Sequence, residues 1–188
     1  IFMSKKTEHP QFFYSSSTER MKRMNHVYAV LTYILWLLCI SYYIFLFLDA
    51  DQKDRIIYII EMIVPTVMFL SNIYIRKIPK FGETDKFRVI VAIQFAVVFL
   101  GMGLSTDTNF ILFPMVAVLI TMIPYNDTKK VLLFCIFYFV EYCLITVYRV
   151  MNGMADFTNL NERYIFLTIP AILFCIHRIS MINQLFLE

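Results

Sequence analysis

The chain has 188 residues, of which 60% are hydrophobic and 16% charged, with a formal charge of +3. Water-soluble domains are about half apolar and about a quarter charged, so this balance points to lipid as the solvent. Four glycines against nineteen phenylalanines exclude a collagen, a low-complexity tail and a glycine-rich nucleotide-binding domain.

Residues 1–26 are polar, with Ser15-Ser16-Ser17 followed by Arg20, Lys22 and Arg23. They read as a cytoplasmic N-terminal segment. They are not a signal peptide, because the apolar run behind them is too long for an h-region and has no small-residue cleavage site. A helix needs about 20 mostly apolar residues to cross the bilayer core. The first such stretch is 27–48, bounded by Asp49 and Asp51, and the second is 56–75, closed by Arg76-Lys77. A charged loop with Pro79, Gly82, Glu83 and Asp85 leads to the third, 87–104. The fourth, 109–124, is short; it holds Pro114, ends at Pro124 and breaks into Tyr125-Asn126-Asp127-Thr128-Lys129-Lys130. The fifth is 131–149 and the sixth 163–183. The expected fold is therefore all-α and polytopic, with residues 27–188 forming six transmembrane helices. The segments are apolar all round, as lipid-facing helices are, so length and flanking charge mark them rather than periodicity.

Lysine and arginine are divided unevenly between the two sides. Thirteen fall on the side of the N-terminus, and four, Lys53, Arg55, Arg149 and Arg163, fall on the other. Positive residues collect on the cytoplasmic side, so both termini are expected inside, in a multi-pass protein of the plasma membrane.

Charge near the bilayer centre costs about 2.5–3.5 kcal/mol on insertion scales, so polar residues within the crossings are the candidate site. Glu61 lies in the outer half of the second crossing and Gln94 midway along the third. Glu141 lies about 12 Å below the outer end of the fifth at 1.5 Å per residue. One reading gathers these three around a pocket for a small-molecule ligand entering from outside. The other makes them interhelical hydrogen-bonding groups. In the sixth crossing Pro170, His177 and Arg178 lie in a helix suited to carrying a signal, and Arg178 is placed to snorkel toward water. Pro65, Pro114 and Pro170 are each expected to kink a crossing. Ala92 and Ala96, four apart, offer a close-packing face.

Cys39, Cys135, Cys143 and Cys175 each fall inside an apolar run and form no C-x-x-C pair, so they read as small hydrophobes rather than disulfide or zinc ligands. No catalytic motif occurs, and the three histidines are scattered. No enzyme, cofactor or metal site is expected. No basic-aromatic cluster suggests nucleic acid. The bilayer itself is the first partner.

The run Phe110-x-x-Phe113-Pro114-Met115, the turn Pro124-Tyr125-Asn126-Asp127-x-Lys129 and the outer Asn152-Gly153-Met154 resemble a bacterial sensor family. They are similar to the six-helix membrane input regions found before methyl-accepting chemotaxis and diguanylate cyclase domains in Gram-positive bacteria. The resemblance covers about residues 20–188 and implies a receptor whose sixth helix continues into a cytoplasmic output domain, which this chain does not include. Ile179, Ile182 and Leu185 or Phe186 keep a spacing that continues as a coiled coil, so a homodimer of the full-length protein is expected. The alternative is a substrate-binding subunit of a vitamin-type transporter, against which the low glycine count weighs.

Overall fold

The computed structural model describes residues 17–52, 55–105, 112–125, 127–154 and 160–186. Among them there is no strand. The helices are α1 (Ser17–Asp49), α2 (Arg55–Lys77), the single turn α3 (Pro79–Gly82), α4 (Lys86–Ser105), α5 (Leu112–Met122), α6 (Thr128–Met151) and α7 (Leu160–Leu185). A 3₁₀ turn, Ile123–Tyr125, extends α5.

Five of these, α1, α2, α4, α6 and α7, are long and apolar enough to cross a membrane. The fourth expected crossing, 109–124, is described only from Leu112 onward. Over the described residues α5 and its 3₁₀ turn together rise about 22 Å at 1.5 and 2.0 Å per residue, against the roughly 30 Å hydrocarbon core. Pro114 is the third described residue of α5 and is buried. Pro65 and Pro170 lie inside their helices. α1 is already helical from Ser17 and carries Lys22, Asn25 and His26 on the same rod as the apolar run.

The six main rods alternate in direction. Arg76 at the end of α2 lies 3.2 Å from His26 at the base of α1. Arg88 at the start of α4 lies 2.8 Å from Asp127 before α6, and Gln184 near the end of α7 accepts from Thr128 at 2.9 Å. The starts of α1, α4 and α6 and the ends of α2, α5 and α7 therefore meet at one end of the bundle.

α4 is the hub, with ten buried residues. Trp36 of α1 stacks on Phe95 with centroids 4.0 Å apart, and Phe95, Phe99 and Tyr138 of α6 continue the aromatic column. Small residues admit the neighbours. Ala92 and Ala96 are buried, and the Tyr138 hydroxyl donates to the Ala92 carbonyl at 2.8 Å. A Cβ on Gly103 would stand only 2.6 Å from the Ile145 side chain. The outer faces are different: Phe45, Leu48, Leu133, Leu144, Leu167 and Phe174 are exposed. A soluble monomer rarely shows continuous apolar surface on this scale, whereas lipid covers it without cost.

Candidate functional site

The most densely bonded region lies where the six rods converge. Asn25, fully buried on α1, donates from Nδ2 to the carbonyls of Gly82 at 2.9 Å and Thr84 at 2.7 Å. Its Oδ1 accepts from the Tyr125 hydroxyl at 2.6 Å. One side chain thus ties α1 to the α3–α4 turn and to the end of α5. Gly82 lets this turn lie close against the end of α2, because a Cβ there would run into the Arg76 carbonyl. Tyr28 donates to the Arg88 carbonyl at 3.3 Å from the next turn of α1.

Beside this joint sit two carboxylates and two cations. Arg88 is 3% exposed; its Nη2 donates to Asp127 Oδ2 at 2.8 Å and stands 3.8 Å from Asp85. Its guanidinium lies over the Tyr125 ring at 4.4 Å, a cation–π geometry. Lys130 pairs with Asp85 and with Asp127, the latter at 2.9 Å. Asp127 also caps α6, accepting from the Lys130 backbone N–H at 3.1 Å. The hydrogen bond from Lys130 holds the Asp85 carboxyl below the usual range, with Arg88 adding to it. Partial burial pushes Asp127 up, but Lys130 and Arg88 outweigh it and leave Asp127 below its ordinary value. Lys130 is raised in turn, chiefly by Asp85 and then by Asp127. The quartet is neutral overall, which lets a guanidinium sit out of water. Chemically it is a structural latch: it contains no nucleophile poised beside a base.

The other sequence-derived residues are dispersed along the bundle. Gln94 donates to Ser71 of α2 at 3.2 Å, in the half near the latch. Glu61 stands instead beside Tyr43 and Ser105, toward the far end. Glu141 is 7% exposed on α6, with neither carboxylate oxygen hydrogen-bonded. None of the three bonds another. An apolar cavity of about 30 Å³ lies among Leu112, Met115, Tyr138, Tyr142, Ile169 and Leu173, and Glu141 is not in its wall. A wider groove of about 190 Å³ between α6 and α7 is lined in part by Pro170 and His177. Arg178 is exposed with its guanidinium 5.9 Å over Phe174, and Ile182 is 51% exposed. Cys39 and Cys135 are buried, while Cys175 is exposed on α7.

Of the motif residues, Phe110 and Asn126 lie outside the described residues. The Asn152-Gly153-Met154 run has a clear local role. Gly153 takes φ +69°, Met154 donates back to the Arg149 carbonyl at 2.8 Å, and α6 ends. Comparison with protein-family models, curated proteins and solved structures finds no match to this chain, so none of them links it to chemotaxis or cyclase input regions.

Proposed function

We propose that the chain is a six-helix signal-input module of the plasma membrane, with the latch end in the cytoplasm. A small ligand or a change in membrane state would shift the bundle, and α7 would pass that shift to a cytoplasmic output domain in a homodimer. The orientation rests on charge. The latch end carries thirteen lysines and arginines by sequence assignment against four at the other.

The observation that carries the reading is the two-faced inner end of α7. One face belongs to the bundle: Ser180 is buried, Asn183 donates to the Ile123 carbonyl at 3.4 Å and Gln184 accepts from Thr128. The other face presents Ile179, Ile182, Leu185 and Phe186 outward, at the three- and four-residue spacing of a helix–helix seam. A displacement of α6 or of the α5 turn therefore moves α7 directly, and a second copy seated on the outer face would feel it. Small helix shifts of this kind are a common switching device. Cross-linking through Ile182→Cys in the full-length protein in membranes tests it. A 182–182 product is expected, with none from Ile176→Cys on the buried face. Absence of that product, while other outward positions on α7 do link, overturns the seam.

A further inference from the structure

We infer that the recess between the base of α1 and the end of α2 binds the phosphate of an anionic phospholipid headgroup; this rests on the membrane reading with the latch end at the bilayer surface. The recess has a volume of about 350 Å³ and is lined by Lys22, His26, Arg76, Lys77 and Glu83, with Pro79 and Gly82 but not Lys80. Its depth is right. His26 precedes the first apolar residue of the α1 crossing, and Arg76-Lys77 close the α2 crossing, so the opening falls at headgroup level. Its chemistry is right as well: three cations face one carboxylate.

The donors are arranged rather than merely clustered. Arg76 can only donate, so its 3.2 Å partner, His26 Nδ1, accepts, which leaves the imidazole proton on Nε2 as a further donor. The Arg76 guanidinium also lies over the Tyr33 ring at 5.8 Å, which steadies it against the apolar wall. Lys22 is held by Glu83 at 3.1 Å. A phosphate entering the recess takes the place of Glu83 as counter-ion to Lys22. Glu83 adjoins Gly82 and Thr84, whose carbonyls Asn25 holds. Occupancy by lipid is thereby linked to the joint that fastens α1 to α4. Basic recesses between crossings on the cytoplasmic side suit phosphate headgroups.

The test uses the full chain, purified in detergent, with short-chain phosphatidylglycerol and phosphatidylcholine as probes and retained lipid counted by native mass spectrometry. Phosphatidylglycerol should be preferred, and Lys77→Gln should weaken it about fivefold, the scale of one cation against an anionic surface. Arg76→Gln with Lys77→Gln should abolish the preference, while Lys80→Gln, outside the recess, should leave it intact. Circular dichroism checks folding, and Lys77→Gln alone keeps the test valid if the Arg76 variant does not fold. Equal loss from Lys80→Gln and Lys77→Gln would mean general surface charge and would overturn the site. Inorganic phosphate binding as tightly as phosphatidylglycerol would make the ligand a free anion and overturn the lipid assignment. Alkaline carbonate extraction separates the two levels: a chain that stays in the membrane without lipid preference loses this site only, and a chain that is extracted loses the membrane reading.

Discussion

Arg88 and Asp127 stand 2.8 Å apart, thirty-nine residues distant in sequence, and their contact fastens the start of α4 to the start of α6. Arg88 is nearly out of water, with Nε and Nη1 lacking hydrogen bonds, whereas Asp127 is partly exposed. The two partners should therefore respond differently to substitution. Asp127→Asn keeps a competent helix cap but strands the guanidinium, and should cost about 2 kcal/mol, below the 3–5 kcal/mol of a fully buried pair because water reaches Asp127. Arg88→Met removes the buried charge itself and should cost less. The double variant should cost less than the sum of the singles. Unfolding in detergent, followed by circular dichroism, checks this; strict additivity would mean that the pair is not coupled.

The same quartet sets a pH window. Asp85 and Asp127 have folded-state pKa values below the ordinary 3.8. Their stabilisation is present above that value and is lost as pH falls through the lowered folded values. Lys130 is raised above 10.5, so its contribution is complete below that value and is lost as pH rises through the folded one. Stability from the quartet should thus be level between about pH 5 and pH 10 and should fall on both sides. Asp85→Asn with Asp127→Asn should flatten the acid limb of the melting temperature plotted against pH. An unchanged acid limb would place the acid sensitivity elsewhere.

Asn25→Ala deletes two donors and one acceptor at a fully buried position. It leaves the Gly82 and Thr84 carbonyls and the Tyr125 hydroxyl to find new partners. Each stranded buried group costs about 1–3 kcal/mol, so a loss of about 3 kcal/mol is expected, with faster amide exchange spreading over residues 79–88. Exchange confined to α1 would show that Asn25 does not hold the α3–α4 turn.

How much of this was legible in the sequence depends on what kind of contact each residue makes. The long helices were legible because apolar length and flanking charge are local properties, as at Arg76-Lys77 and Asp49. α5 is short in sequence and in structure, since its apolar run includes Pro114, Pro124 and residues that a 3₁₀ turn takes up. The latch was not legible. Asn25 and Asp127 fall in polar segments and Arg88 at the start of the third apolar run, and only the alternation of the rods brings residues 39 to 100 positions apart into bonding distance. One signal was available: Asp127, shortly ahead of an apolar run, is a helix N-cap residue type. Glu61, Gln94 and Glu141 were singled out by the cost of charge and polarity in lipid, a property of single residues that says nothing about mutual approach.

Gly82 and Gly101 offer a controlled comparison. At Gly82 an added Cβ meets the Arg76 carbonyl, a backbone atom that cannot swing away, whereas at Gly101 nothing lies within 4 Å. Gly82→Ala should cost about 1–3 kcal/mol, the range for overpacking. Gly101→Ala should be neutral or gain up to about 1 kcal/mol from helix propensity. Equal effects on the detergent unfolding midpoint would mean that the α2–α3 approach is looser than the geometry requires.

Orientation is the most direct prediction. Lys80 is exposed at the latch end and Met154 is exposed just beyond the stop of α6 at the opposite end. Because the starts of α4 and α6 lie together, these two positions must fall on opposite sides of any membrane the bundle crosses, however α5 is counted. Single cysteines at the two positions, in a chain with Cys39, Cys135, Cys143 and Cys175 replaced by alanine, give the readout. Cys39 and Cys135 are buried, but loss of a sulfur there leaves only a small void, on the order of 1 kcal/mol by the deletion of one methyl-sized group. In sealed right-side-out vesicles a membrane-impermeant maleimide should label position 154 and not position 80, with both labelled after permeabilisation. Labelling of 80 alone would keep the transmembrane bundle and reverse its orientation, against the charge distribution. Labelling of both from outside would mean that the bundle does not separate the two ends across a bilayer at all.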